Sequence, residues 1–365
     1  MPLPRLPDDL RPTDGRFGSG PSRVRPEALR ALAATGATYL GTSHRRDPVR
    51  QVVRRIRHGM RDLFALPQGY EVVLGNGGAT AFWDAAAFRL VERRSQHLVF
   101  GEFSARFAAA VAAAPHLEDP ILVAALPGSR PDPRTDTDAD LHALTQNETS
   151  TGVRAPVARP GPGLVVVDAT SAAGAVEVDP AAFDAYYFSP QKAFASDGGL
   201  WCALLSPAAL DRIAASDRWC PPSLDLAIAV EESRRDQTYN TPSLATLWLL
   251  ADQVEWLLGR GGLEASTRHG EEAAAVVYGW AERSPYADPF VTGPDLRSRT
   301  VATIDLDDSI AADRVTAALR AGGIVDIDGY RKLGRNQIRI AMFPAIPVAD
   351  LEMLTAAIDW VAERL

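Results

Sequence analysis

The chain has 365 residues, 46% of them hydrophobic, which is enough apolar material for one large domain and a smaller one. Its 38 Lys and Arg stand against 46 Asp and Glu, a formal net charge of −8. That balance argues against a general binder of nucleic acid, so any basic cluster that serves a ligand must be local. Cys202 and Cys220 lie far apart and form no CxxC pair, so neither a disulfide framework nor a metal site is expected.

The opening MPLPRLPDDLRPTDGRFGSG has neither a basic region followed by an apolar run nor the acid-poor character of a transit peptide, and a cytoplasmic protein is expected. No stretch approaches the roughly 18 uninterrupted apolar residues of a membrane span. From about Glu71 to Ser206, short β-branched or apolar runs alternate with Ala-rich helical stretches. This is the pattern of a parallel sheet wrapped by helices, an α/β fold. The runs are Glu71–Leu74, His97–Phe100, Ile121–Ala125, Leu164–Val167, Ala185–Phe188 and Leu200–Leu205. Gly128–Asp140, rich in Pro and Asp, reads as a surface loop. Ser243–Gly259 and Glu264–Arg283 have the apolar spacing of long helices. Thr300–Leu306, Ala311–Ala321, Gly323–Ile327, Gln337–Met342 and Val348–Leu365 then read strand, helix, strand, strand, helix.

Only two of the basic residues are lysines, Lys192 and Lys332. Arginine has replaced lysine almost everywhere, which directs attention to positions where a guanidinium cannot do the work. An amine can lose its proton and attack a carbonyl, whereas a guanidinium stays charged. Lys332 follows Arg331 in a polar turn and needs no special role. Lys192 lies in AYYFSPQKAFASDGG, where an aromatic run stops at Ser189-Pro190. It is therefore expected on a loop at a strand's carboxyl end, where ligands of open parallel sheets bind. About one strand earlier, LVVVDATSAAG ends a buried-type strand in Asp168, either a cap for the following turn or a partner for a cationic ring nitrogen. In EVVLGNGGATAFWDAA a strand runs through Gly75-Asn76-Gly77-Gly78 into a helix. Such a turn suits a phosphate at the helix start, although its spacing matches no named glycine motif.

With these segments on view, the chain resembles the class V aminotransferases of the fold-type I pyridoxal-phosphate enzymes, and among them the actinobacterial branch that acts on a phosphorylated substrate. The resemblance runs over essentially the whole chain and rests on FGSGPSRVRPEAL, GTSHRRDPVR, GNGGAT, GEFSARF, QNETSTGV, VVDATSAAG, FSPQKAFASDGG, YNTPSL and GYRKLGRNQIRIAMFPA. It implies a large domain over residues 41–260 with a mostly parallel central sheet, and a smaller C-terminal α/β domain over 261–365. Residues 1–40 would associate with the small domain and the active-site entrance.

The same resemblance implies roles for individual residues. Lys192 would carry pyridoxal 5'-phosphate as a Schiff base and move the substrate proton. Asp168 would bind the pyridine nitrogen, Thr149 the ring's phenolic oxygen, and Phe103 would stack on the ring. Gly78, Ala79, Thr80 and Gln191 would hold the cofactor phosphate, joined by Asn240 and Thr241 from a neighbouring subunit, which implies a homodimer with shared sites. Arg339 would grip the α-carboxylate. His44 and Arg45 of the adjacent subunit, with Arg331, would bind the distal phosphate or the γ-carboxylate. Phe103 stands where the family pattern has tryptophan, and Tyr330 where it has histidine.

The activity so implied is amino transfer between L-glutamate and 3-phosphohydroxypyruvate in serine biosynthesis, with phosphohydroxythreonine of vitamin B6 synthesis as a further substrate. Another class V activity, such as alanine- or serine-glyoxylate transamination, needs no second anion pocket. Cysteine desulfurase chemistry fits less well, because Cys202 falls in an expected strand and neither cysteine lies in a C-terminal catalytic loop. A cofactor-dependent regulatory module would need an added effector segment, and none is available.

Overall fold

The computed structural model describes residues 3–365. In chain order it contains helices α1 (Pro26–Ala34) and α2 (Asp47–Leu63), strand β1 (Glu71–Asn76), α3 (Ala79–Arg89), β2 (Ser95–Val99), α4 (Glu102–Ala112) and β3 (Ile121–Ala124). Then come β4 (Leu141–Thr145), the short β5 (Asn147–Glu148) and β6 (Val153–Arg154), β7 (Leu164–Asp168), β8 (Ala185–Phe188) and β9 (Leu200–Leu205). Helices α5 (Pro207–Ala215), α6 (Leu226–Arg234), α7 (Leu244–Gly259) and α8 (Gly262–Arg283) follow. The chain ends with β10 (Ala287–Pro289), β11 (Val301–Leu306), α9 (Ala312–Ala321), β12 (Gln337–Ala341) and α10 (Val348–Ala362).

Seven strands form the main sheet in the order β1-β9-β8-β7-β4-β2-β3. β2, β3, β4, β7 and β8 pair in parallel, whereas β9 runs antiparallel to both β8 and β1. This corrects the expectation that Leu200–Leu205 joins a parallel array. The segment linking β8 to β9 contains no helix, and a parallel partner requires a long crossover. Because β9 reverses twice, β1 points the same way as β8. The carboxyl ends of β1, β2, β4, β7 and β8 therefore share one edge of the sheet.

Burial explains which strands the sequence discloses. β7, β8 and β9 are buried along their whole length, with helices over both faces, and read as continuous apolar runs. β4 is equally buried, but its LHALT has one β-branched residue and follows a Pro- and Asp-rich loop, so the pattern did not disclose it. On one face Val49, Val52, Val53, Ile56, Met60 and Leu63 of α2 recur at helical spacing and pack with α7 against the sheet. On the other face lie Phe82, Trp83, Phe107 and Val111 of α3 and α4.

A second core surrounds the three-stranded sheet β10-β11-β12, covered by α8, α9 and α10. Gly323–Ile327 is not the strand the sequence suggests. It makes one isolated parallel bridge, Val325 to Arg16, and the positive φ of Gly323 and Asp326 (90° and 66°) breaks any longer ladder. Short β10 occupies the sheet edge instead. Through that bridge, and through Leu6 and Phe17 in the second core, the N-terminal segment is attached to the C-terminal layer.

Candidate active site

A cavity of ≈ 300 Å³ opens at the shared carboxyl edge of the main sheet. Its lining includes Gly78, Ala79, Thr80, Phe103, Thr149, Asp168, Gln191 and Lys192, so eight of the residues singled out in the sequence meet in one place. The sheet explains why. Thr149 follows β5, which continues the chain just beyond the end of β4, Asp168 ends β7, and Lys192 lies in the turn beyond β8; β4, β7 and β8 are adjacent parallel strands.

Lys192 is only 6% exposed, and its Nζ donates to Thr149 Oγ1 at 2.9 Å. Burial disfavours the ammonium form, and the nearby Arg339 guanidinium adds repulsion. Asp168 and Glu148 oppose the effect without cancelling it, so the amine is lowered from 10.5 to about 7. It is therefore a nucleophile near neutral pH, as the sequence argument required. Thr149 Oγ1 in turn donates to Ser171 Oγ at 2.9 Å, and the Asn147 side chain donates to the same hydroxyl at 2.9 Å. Asp168 is buried, and its Oδ1 accepts from the Thr170 amide at 2.9 Å.

The phosphate-type end of the cavity is the start of α3. Gly77 and Gly78 have φ of 113° and 82°, a left-handed conformation that glycine adopts without strain. The first amides of a helix have no intrahelical acceptor, and Ala79 and Thr80 supply two of them at the cavity wall.

The substrate-binding candidates are distributed differently. Arg339, on β12, is half-buried and donates to the Thr149 carbonyl at 3.2 Å, so it reaches the cavity edge. Its guanidinium stacks over Tyr330 at 5.3 Å, and Tyr330 faces Phe103 with ring centroids 6.1 Å apart. The two positions that depart from the family pattern thus touch each other. Arg331 is exposed in the next turn, and Lys332 pairs with Glu102. His44, Arg45, Asn240 and Thr241 lie outside the cavity lining. His44 Nδ1 is 3.0 Å from Thr241 Oγ1, Arg45 donates to Gln237 at 2.8 Å, and the carbonyls of Asn240 and Thr241 accept from Asn76. Burial, helped by Arg45, lowers the His44 pKa.

Several lining residues escaped the sequence reading. Gly20 is one: a Cβ there would stand 3.0 Å from Lys192 Cε, so the N-terminal segment closes over the amine only as glycine. Thr170 is another, with a buried, unpartnered Oγ1; its position two residues past Asp168 was the available signal.

The donor set fits pyridoxal phosphate. A buried amine lowered to about 7 faces the cavity, a buried carboxylate ends the neighbouring strand, a glycine-led helix start supplies free amides, and Thr170 Oγ1 and Gln191 Oε1 are buried without partners. A mostly parallel sheet presenting this set at its carboxyl edge defines a fold-type I pyridoxal-phosphate enzyme. The family description "Aminotransferase class-V" matches residues 17–331, and the chain belongs to that family. It is 56% identical to the phosphoserine aminotransferase of a Nocardioides species, with 99% of both chains covered. Among solved structures it is similar to a phosphoserine aminotransferase from Cytophaga hutchinsonii (TM-score 0.87, 25% identity, 95% of this chain and 99% of that one). It is also similar to an aspartate aminotransferase from Thermus thermophilus (TM-score 0.82, 25% identity, 95% and 99%). The fold thus serves more than one substrate.

Among the described residues no helix is long and apolar enough to cross a membrane.

Proposed function

We propose that the chain transfers the amino group of L-glutamate to 3-phosphohydroxypyruvate, giving 2-oxoglutarate and O-phospho-L-serine for serine biosynthesis in the cytoplasm. The observation that carries the chemistry is the buried Lys192 amine, lowered to about 7 and held by Thr149. The relatives' names support the substrate. Pyridoxal phosphate, when bound, supplies the aldehyde that this amine condenses with and a ring that accepts electron density from the substrate.

The protein's own part is positioning and proton transfer. Asp168 would pair with the ring nitrogen of the cofactor, Gly78, Ala79 and Thr80 with Gln191 would hold its phosphate, and Phe103 would stack on the ring. Lys192 Nζ would serve as the base that takes the substrate's Cα proton. Arg339 binds the α-carboxylate. Arg331, with His44 and Arg45 of a neighbouring subunit, takes the distal phosphate or γ-carboxylate, and Asn240 and Thr241 reach the cofactor phosphate across the same homodimer interface. Residues 41–260 serve as the cofactor domain, 261–365 as the small domain, and 1–40 as a segment associated with the small domain and the active-site entrance. Phosphohydroxythreonine, which is longer, is proposed as a further substrate on the strength of the family resemblance alone.

An absorbance spectrum tests the reading. The holoenzyme is expected to be yellow, and its visible band to bleach with phosphoserine or glutamate but not with alanine. Bleaching by alanine together with turnover of glyoxylate, and none with phosphoserine, would replace this substrate with that of another class V enzyme.

A further inference from the structure

Glu148 sits beside Thr149 and, apart from its charge near Lys192, is given no role in the scheme above. It is fully buried, and an unpaired carboxylate in such a place is costly. Its oxygens accept from the Phe103 amide (3.3 Å), the Ser104 amide and hydroxyl (both 2.9 Å), the Ser150 amide (3.2 Å) and the Ser150 hydroxyl (2.7 Å). Ser150 Oγ in turn accepts from the Glu102 amide at 3.0 Å. The first three amides of α4, which the helix itself cannot satisfy, are thus taken up by Glu148 directly or through Ser150.

A side chain at the helix cap would ordinarily do this. Here the cap is Gly101, and a Cβ on it would fall 2.3 Å from Glu148 Cγ. The capping group therefore arrives from β5, and the helix-start charge offsets the buried anion. Phe103 is the second residue of that first turn, and its ring centre lies 5.6 Å from Lys192 Nζ. Glu148 fixes the turn that aims this ring, while adjacent Thr149 holds the amine. One dipeptide sets both walls of the cavity.

We infer that Glu148 is a positioning residue: by capping α4 from another strand, it holds Phe103 at the angle needed to cover the cofactor ring. The inference rests on the cavity being the pyridoxal-phosphate site. Glu148→Gln keeps the shape but turns one accepting oxygen into an amide donor that faces other donors.

In the cofactor-free variant, hydrogen exchange of the first α4 turn, residues 102–105, is expected to speed up about tenfold, with β7 and β8 unchanged. Equilibrium affinity for pyridoxal phosphate is expected to fall about tenfold. In a Phe103→Ala background the same substitution should change affinity less than about twofold, because the ring it positions is gone. Unchanged exchange in that turn overturns the inference, and so does an equal loss of affinity in both backgrounds. If Glu148→Gln does not fold, Ser150→Ala removes the acceptor for the Glu102 amide and should speed exchange in the same segment about threefold. Wild-type protein that fails to take up pyridoxal phosphate overturns the cofactor reading, and this inference with it. Wild-type uptake with an insensitive Glu148 variant overturns the positioning role alone.

Discussion

Lys192, Thr149 and Asp168 lie at or just past the ends of adjacent buried strands, each no more than 6% exposed, whereas Arg45, Asn240, Thr241 and Arg331 occupy exposed turns and loops. The wall of the site is completed within one chain by the same sheet that forms the core. The rim cations instead stand apart from the cavity, and some are engaged with neighbours such as Gln237. A cofactor that stays bound needs fixed geometry, while anionic substrates that enter and leave at each turnover need groups able to engage and release. Substitutions in the wall should therefore damage the reaction whatever the substrate, and those in the rim should discriminate among substrates.

The largest effect is expected at Lys192. Lys192→Ala should fold, since it removes an amine and part of an alkyl stem from a cavity wall, yet lose at least about a thousandfold in turnover with every amino donor. Steady-state assays, with borohydride trapping and peptide mapping, check this. Normal turnover, or a reduced adduct elsewhere in the wild-type chain, would remove the wall from the mechanism.

Next come the two arginines, which separate wall from rim. Arg339→Lys replaces a planar fork by a point charge and should lower kcat/KM about 10- to 100-fold for every substrate with an α-carboxylate. Arg331→Ala should cost about tenfold, and only for doubly anionic substrates such as phosphoserine and glutamate. Parallel kcat/KM series with phosphoserine and alanine provide the measurement. An equal loss for alanine in Arg331→Ala would erase the distinction.

The wall was largely legible in the sequence and the rim was not. Buried on both faces, β7 and β8 appear as unbroken apolar runs, so Asp168 and Lys192 could be placed at strand ends from pattern alone. The rarity of lysine added weight to Lys192. The physical pattern gave no reason to choose Arg331 or Arg339 among so many arginines, because what distinguishes them is proximity across more than a hundred residues; only the family resemblance reached them. Glu148 and Gly20 escaped for a related reason, since each acts on a segment distant in sequence. The reversed direction of β9 was hidden because a buried strand reads alike in either orientation.

The lowered Lys192 amine gives a pH signature of the wall. Its folded value, about 7, lies below the ordinary 10.5, so the unfolded chain binds the extra proton between these values. Stability of the cofactor-free protein should therefore be lowest below pH 7 and climb toward pH 10.5. Capture of pyridoxal phosphate, followed by absorbance, should accelerate about tenfold from pH 6 to 8 with a midpoint near 7. A rate still climbing in proportion to hydroxide above pH 9 would mean that the amine is not desolvated.

The smallest expected signal bears most directly on the rim. If His44 and Arg45 serve the site of a second copy, Lys192→Ala protein and His44→Ala/Arg45→Ala protein each lack something the other retains. Random mixing makes about half of the dimers mixed, and each mixed dimer holds one intact site of two. Unfolding and refolding the two together should then restore about a quarter of wild-type activity toward phosphoserine, from two nearly inactive parents. If the rim residues act on their own chain's cavity, no arrangement of the mixed dimer assembles an intact site, and the mixture stays at the average of its parents. The Asn76 contacts that tie Asn240 and Thr241 to the end of β1 make this comparison decisive, because they hold the loop beside its own Gly77–Gly78 turn while leaving it outside the cavity lining.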